Sequence, residues 1–252
     1  MATHSEHLHL PSLHPPPHET AKDAHGDEPV RPLVSFYVYE APVRLWHWVT
    51  FLVITVLCLT GYFIASPPQS SMGDTSTLFD FGQLREWHFI AGWLLAIGTL
   101  WRAYWAIVGG PHARLIYFVP FWKLSWWKEC VQVVKWYLFM SKGEKWIGHN
   151  PLARAAMFGV FTLGSFFMVL SGFALYAEGK GMDSIFYKLF GWMISLAGSS
   201  MTLRLWHHVG MYMLLLFVAV HVYAAIRDDI MGRVSTISSM VSGWRTFRDF
   251  KE

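Results

Sequence analysis

The chain has 252 residues, of which 54% are hydrophobic, 17% aromatic and only 15% charged, a balance that excludes an ordinary soluble domain and marks a membrane protein. Its formal net charge of +3 gives no basis for a nucleic-acid partner. The two cysteines, Cys58 and Cys130, fall in or beside apolar segments and cannot form a thiolate cluster, so any redox centre must use another ligand type, for which histidine is the candidate.

Residues 1–32, with HSEHLHLPSLHPPPHE, are rich in His and Pro and lack an apolar run. They read as a disordered cytoplasmic tail and not as a signal peptide. The six histidines of this tail are either weak metal ligands or plain low-complexity sequence. Residues 33–248 form the folded membrane domain. Four segments within it, 44–65, 86–108, 153–177 and 205–227, each approach the ~20 apolar residues needed to span a bilayer.

Sixteen of the 20 Lys and Arg residues lie in the segment through Arg44, the stretch from Arg102 to Arg154 and the tail from Arg227. The other two loops hold only Arg85, Lys180, Lys188 and Arg204. The positive-inside rule then places both termini and the middle loop in the cytoplasm, so the first and third spans run outward and the second and fourth inward. In the middle loop, WWKECVQVVKWYLFMSK (126–142) sets Lys128, Gln132 and Lys135 on one helical face among aromatics. The pattern predicts a helix lying along the cytoplasmic interface. A fifth span is the competing reading, against which stand three Lys and a Glu in the run and the parity of the positive charge.

Histidines within or at the edges of the spans are His47, His88, His207, His208 and His221. An imidazole in an apolar helix needs a partner, and the default expectation is function. His207 and His221 are 14 residues apart, a net rotation of about 40° and a rise of about 21 Å, so they share one face at opposite depths. His208 points nearly the other way. Depth pairs His47 with His221 near the cytoplasmic face and His88 with His207 near the outer face. Two imidazoles at each of two levels predict two b-type haems with both axial positions filled, hence electron transfer and no open site for substrate. Zinc would need three or four ligands at one site.

Gly61 lies 14 residues after His47, at the depth of the outer pair, and either admits a macrocycle or serves small-residue helix packing. Arg102 lies 14 after His88, level with the inner pair. It and Arg44 are expected to meet either haem propionates or lipid headgroups. GVFTLGSFFMVLSGFALY, with Gly159, Gly164 and Gly172, offers no ligand and closes the bundle. Trp46, Trp48, Trp87 and Trp206 read as interfacial anchors, with Trp46 and Trp206 also able to pack on haem. His112 and His149 receive no role.

PVRLWHWVTFLVITVLCLTGYFI (42–64), LWHHVGMYMLLLFVAVHVYAAIRDDIMG (205–232) and STISSMVSGWRTF (235–247) closely resemble the b-type cytochrome subunit of membrane-bound nickel-iron hydrogenases. The resemblance covers residues 36–248, and its four haem ligands fall on His47, His88, His207 and His221. It implies a subunit, not itself the hydrogen-splitting enzyme, in the bacterial cytoplasmic membrane. That subunit would anchor the nickel-iron large and iron-sulfur small subunits and carry their electrons to a respiratory quinone, menaquinone or ubiquinone. Quinone would then be reduced beside the inner pair, around Arg44, Tyr223 and Asp228, where an acceptor needs protons. The donor would dock on the outer loops 66–85 and 178–204, with Asp74, Asp80, Glu178 and Asp183. The competing readings are the related formate dehydrogenase membrane subunit, which lacks the IRDDIMG and SMVSGWRTF pattern, and a histidine-dependent metal transporter, which would need ligands converging at one depth.

Overall fold

The computed structural model describes residues 33–67, 80–141 and 146–248. The expected tail over residues 1–32 therefore lies outside the described residues, as does Asp74. Strand β1 (Leu33–Tyr37) leads into helix α1 (Ala41–Ala65), which is followed by α2 (Asp80–Val108), the short α3 (Pro111–Arg114) and α4 (Leu124–Tyr137). Then come α5 (Pro151–Ala156), a π-helical stretch (Met157–Thr162) and α6 (Leu163–Lys180), which run on as one rod. Helices α7 (Ile185–Phe190), α8 (Trp192–Ala197), α9 (Ser200–Met231) and α10 (Thr236–Ser242) precede strand β2 (Trp244–Arg248).

Among the described residues, four helices are long and apolar enough to cross a membrane: Ala41–Ala65, Phe81–Val108, Pro151–Lys180 and Ser200–Met231. The helices outrun the apolar segments read from sequence because hydropathy marks only the hydrocarbon core, about 30 Å thick, whereas 32 residues of helix reach about 48 Å. The starts of α5 and α9 are set by caps rather than by apolarity. Asn150 Oδ1 accepts from Ala153 N at 2.7 Å, and Ser199 Oγ accepts from Thr202 N at 3.1 Å. The lipid-directed faces carry large exposed apolar side chains, among them Leu52, Leu100, Ile107 and Leu216. In water such faces would aggregate, whereas hydrocarbon solvates them.

Inside the bundle, Val53 and Ile54 of α1 pack on Ala91 and Leu95 of α2. Ala174 of α6, Met193 of α8 and Leu203 of α9 form a second cluster. That cluster corrects the expectation of plain loop over 178–204. Ser184 caps α7 by accepting from Tyr187 N, and Gly198 ends α8 in the left-handed region at φ 83°. Of the glycines expected to close the bundle, Gly164 lies against Leu214 and Gly172 against His207, whereas Gly159 has no neighbour within 4 Å of where its side chain would begin.

The expectation of an all-α fold needs a small correction. LVSFY and WRTFR pair antiparallel, from Leu33 opposite Arg248 to Tyr37 opposite Trp244. One face of the pair is covered, with Val34 and Phe36 less exposed than Leu33, Ser35 and Tyr37, and Phe247 is completely buried with Phe36 edge-on at 5.8 Å. The strand is reached through Gly243, at φ 86°, whose carbonyl accepts from both Val38 N and Tyr39 N. A Cβ there would sit 2.7 Å from the Tyr39 carbonyl oxygen, so only glycine fits.

Helix α4 buries Trp126, Cys130 and Val133 and leaves Lys128, Gln132 and Lys135 exposed. It stops at Tyr137, short of the expected 142, because the chain turns at Phe139 with φ 61°. The turn wraps Trp136, Tyr137 and Phe139 around the buried Arg227 guanidinium, at 4.2, 4.7 and 4.6 Å from the ring centres. Arg227 also donates to the Trp136 carbonyl at 2.8 Å.

Candidate functional site

Helix α9 presents His207 and His221 one above the other, as its period requires, and each meets an imidazole from another helix. His88 of α2 lies opposite His207 with ring centroids 6.5 Å apart. His47 of α1 lies opposite His221 at 6.3 Å. His208 turns aside and stacks on Tyr212 at 5.3 Å.

Both separations fit a bis-imidazole metal centre. A metal–nitrogen bond of about 2.0–2.1 Å plus about 1.1 Å to the ring centre, taken twice, gives about 6.3 Å between centroids. Among the described residues no group of three or more His, Cys, Asp or Glu converges to hold a bare metal ion. Two ligands per level suit an iron whose other four positions a porphyrin fills.

The pair His88 and His207 is held from behind. Thr60 Oγ1 lies 2.8 Å from His88 Nδ1, and Ser171 Oγ lies 2.7 Å from His207 Nδ1. Gly61 and Gly172, the residues that follow these hydroxyls, let the rings close on the helices. Added Cβ atoms would stand 3.3 Å from His88 Cε1 and 3.4 Å from His207 Cε1. Gly61 is thus at the expected depth, with the imidazole itself as its neighbour. Thr60 and Ser171 were not singled out from the sequence, since a Thr or Ser in an apolar helix usually bonds only to its own backbone.

The pair His47 and His221 opens into a cavity of about 1050 Å³ lined by His47, His221, Arg102, His149, Asn150 and Phe217 among others. Phe217 stacks on His221 at 5.9 Å and 13°. Arg102 is 2% exposed, donates to the Ala113 carbonyl at 2.7 Å, and lies over Trp46 and Tyr117. Its Nε and a second terminal nitrogen are buried without partners among the described residues, an arrangement that suits a carboxylate at the cavity wall.

The other residues named for this end are dispersed. Arg44 donates to the Val241 carbonyl, tying α1 to α10. Asp228 lines the cavity but accepts from Arg245 at 2.8 Å and from Thr236 at 3.3 Å. Tyr223 is 57% exposed. His149, given no role by sequence, lines the cavity beside Tyr39, whose ring meets it edge-on at 5.7 Å. His149 is half-buried at the cavity wall, with its Nδ1 shut off from solvent. Burial, reinforced by Arg245, His221, Arg102 and Arg154, holds its pKa down at about 3, so the ring is neutral. Burial likewise raises the Tyr39 phenol. The available signal was the sequence GHNP, in which Asn150 and Pro151 start a helix and fix His149 just before it.

At the His207 end of the bundle, Glu178 accepts from Ser200 at 2.7 Å and Arg204 at 2.9 Å, all exposed or half-exposed. Asp183 lies between α6 and α7.

A bundle of apolar membrane-crossing helices that brings histidines together in pairs at two levels defines a multi-pass membrane cytochrome b. Residues 38–243 match the family described as prokaryotic cytochrome b561, and the chain belongs to that family. Its cofactor is accordingly b-type haem. The chain is 53% identical over 225 residues to a protein of Azotobacter vinelandii named "Probable Ni/Fe-hydrogenase B-type cytochrome subunit", covering 89% of this chain and 94% of the relative. A protein of the same name from Cupriavidus necator is 52% identical over 214 residues, covering 84% and 88%. The "Probable Ni/Fe-hydrogenase 1 B-type cytochrome subunit" of Escherichia coli is 44% identical over 223 residues, covering 86% and 93%. The resemblance to hydrogenase cytochrome subunits read from the sequence is thereby borne out.

Proposed function

We propose that this chain is the dihaem membrane subunit of a nickel-iron hydrogenase and that it conducts electrons across the bacterial cytoplasmic membrane to quinone. The observation that carries this reading is the pair of imidazole separations, 6.5 and 6.3 Å, at two levels of one helix. His88 and His207 would hold the outer iron, and His47 and His221 the inner one. Bound there, b-type haem supplies one-electron transfer and, with both axial positions filled, nothing else. The unpartnered nitrogens of Arg102 suit a propionate of the inner haem, Gly61 leaves room for His88, and Arg44 acts by pinning α10 beneath the inner level.

The orientation rests on charge and on the ends of the chain. Positive residues cluster at the termini and the middle loop, which assigns these to the cytoplasm. Pairing of β1 with β2 supports the parity, since both described ends stand on one side. Amphipathic α4 would lie along the cytoplasmic interface. Electrons enter at the outer pair from the iron-sulfur small subunit, whose large subunit oxidises hydrogen, and leave at the inner pair. Quinone would bind beside the inner cavity, where Asp228 is the best placed of the residues named for it; Tyr223 and Arg44 stand at its periphery. The exposed outer loops around Glu178 and Asp183 would dock the donor, while lipid covers the apolar faces.

Pyridine-haemochrome analysis of the purified complex tests the reading. Two b-type haems per chain are expected, falling by about half when either pair loses a histidine. One haem per chain, or none, would defeat it.

A further inference from the structure

We infer that Thr60 and Ser171 are positioning residues for the outer iron: each fixes the tautomer of one axial histidine, and together they make the outer centre harder to reduce than it would be without them. The inference rests on the dihaem reading above. Its basis is a count of protons.

Thr60 Oγ1 lies 2.7 Å from the Val56 carbonyl oxygen and 3.3 Å from that of Leu57, as well as 2.8 Å from His88 Nδ1. Ser171 Oγ repeats the arrangement, at 2.7 Å from the Phe167 carbonyl, 3.3 Å from that of Met168 and 2.7 Å from His207 Nδ1. A hydroxyl has one proton and a carbonyl oxygen can only accept. Each hydroxyl proton therefore goes to its own helix, and the oxygen must accept from the imidazole. That puts the ring proton on Nδ1 of both His88 and His207 and leaves the lone pair on Nε2, the nitrogen on the far side of the ring, free for the metal. The hydroxyls are enclosed, with Ser171 at 0% and Thr60 at 7% exposure, so water does not compete for the bond.

Neither helix donating the hydroxyl supplies a ligand at this level, α6 supplying none at all. The motif is a hydroxyl followed by glycine, Thr60-Gly61 and Ser171-Gly172: the first residue receives the ring proton and the second lets the ring approach. Such an acceptor makes a ligating imidazole more basic and a better donor to the oxidised metal. The inner level differs, because His47 Nδ1 is buried with no hydrogen-bond partner among the described residues. The contrast lowers the outer potential relative to the inner one and favours electron movement inward.

The test is a spectroelectrochemical titration of the intact complex. His88→Ala first identifies the outer component as the one it removes; removal of no component would sink the dihaem reading and this inference with it, an outcome distinct from failure of the inference alone. Thr60→Val and Ser171→Ala abolish the acceptor, while Thr60→Ser and Ser171→Thr keep it. The expected result is an upward shift of the outer midpoint alone in the first two variants, larger in the double variant, with a changed low-spin ferric electron paramagnetic resonance signal. The conservative variants should titrate as the parent does. Loss of the outer haem in Val and Ala variants but not in their conservative counterparts also supports the inference. An unmoved outer midpoint with haem retained, or equal shifts or haem loss in both sets, would overturn it.

Discussion

Arg245 of β2 donates to Asp228 near the end of α9 across 2.8 Å, with side-chain exposures of 5% and 25%, so the last strand is fastened to the helix that carries two of the four histidines. Arg245 also donates to the Gly148 carbonyl, beside His149. Removing one partner of a largely buried ion pair destabilises by roughly 3 kcal/mol, because the other charge is left without compensation. Asp228→Ala should lower the melting temperature of the detergent-solubilised protein, read by circular dichroism, more than Tyr223→Phe does. Equal melting of the two variants would remove Asp228 from this structural role.

Single replacements of the four paired histidines should divide into two classes. His47→Ala or His221→Ala should remove the inner haem, and His88→Ala or His207→Ala the outer one. His208→Ala should keep both, since its ring stacks on Tyr212. Haem content per chain decides the matter, and equal losses for His207→Ala and His208→Ala would contradict the geometry.

Gly61→Leu should exclude the outer haem while sparing the inner. The first added carbon would already stand 3.3 Å from His88 Cε1 and 3.7 Å from Met211 Sδ. Overfilling such a contact destabilises by about 1–3 kcal/mol. Gly159→Leu, at a position with open space, is the matched control. Similar haem content in the two variants would show that Gly61 has no such function.

A pH profile should expose His149. Its folded pKa of about 3 lies below the ordinary 6.5, so between those values the unfolded chain binds a proton that the folded chain refuses. Stability is therefore complete above about pH 6.5 and declines as pH falls toward 3, by at most about 1.4 kcal/mol per unit from this one group. The groups facing it are Arg245, His221, Arg102 and Arg154, all of which oppose its protonation when charged. His149→Phe should flatten the profile over that range. Parallel profiles for parent and variant would mean that His149 takes up its proton without unfolding.

Much of the site was legible because helical geometry is rigid. A spacing of 14 residues from His207 to His221 determines both the shared face and the two depths, and charge parity then pairs each with His47 or His88. Cap residues and loop helices were less legible. Hydropathy does not register the Asn150 and Ser199 caps, and the short apolar runs of α7 and α8 resemble loop until Met193 is seen packed on Ala174. The β1–β2 pair joins residues more than two hundred positions apart, a contact that no local pattern announces. Thr60 and Ser171 were hidden for a different reason: their function lies in a hydrogen bond to another helix, visible only once the rings are placed.

The proposed electron path enters at His88 and His207 and leaves at His47 and His221. Its most direct test is the absorbance of the His88→Ala complex under hydrogen, in preparations whose catalytic subunits still reduce a soluble dye. The remaining inner haem should stay oxidised, and quinone reduction by hydrogen should be lost. Rapid reduction of that haem by hydrogen, or quinone reduction at the parent rate, would contradict the path.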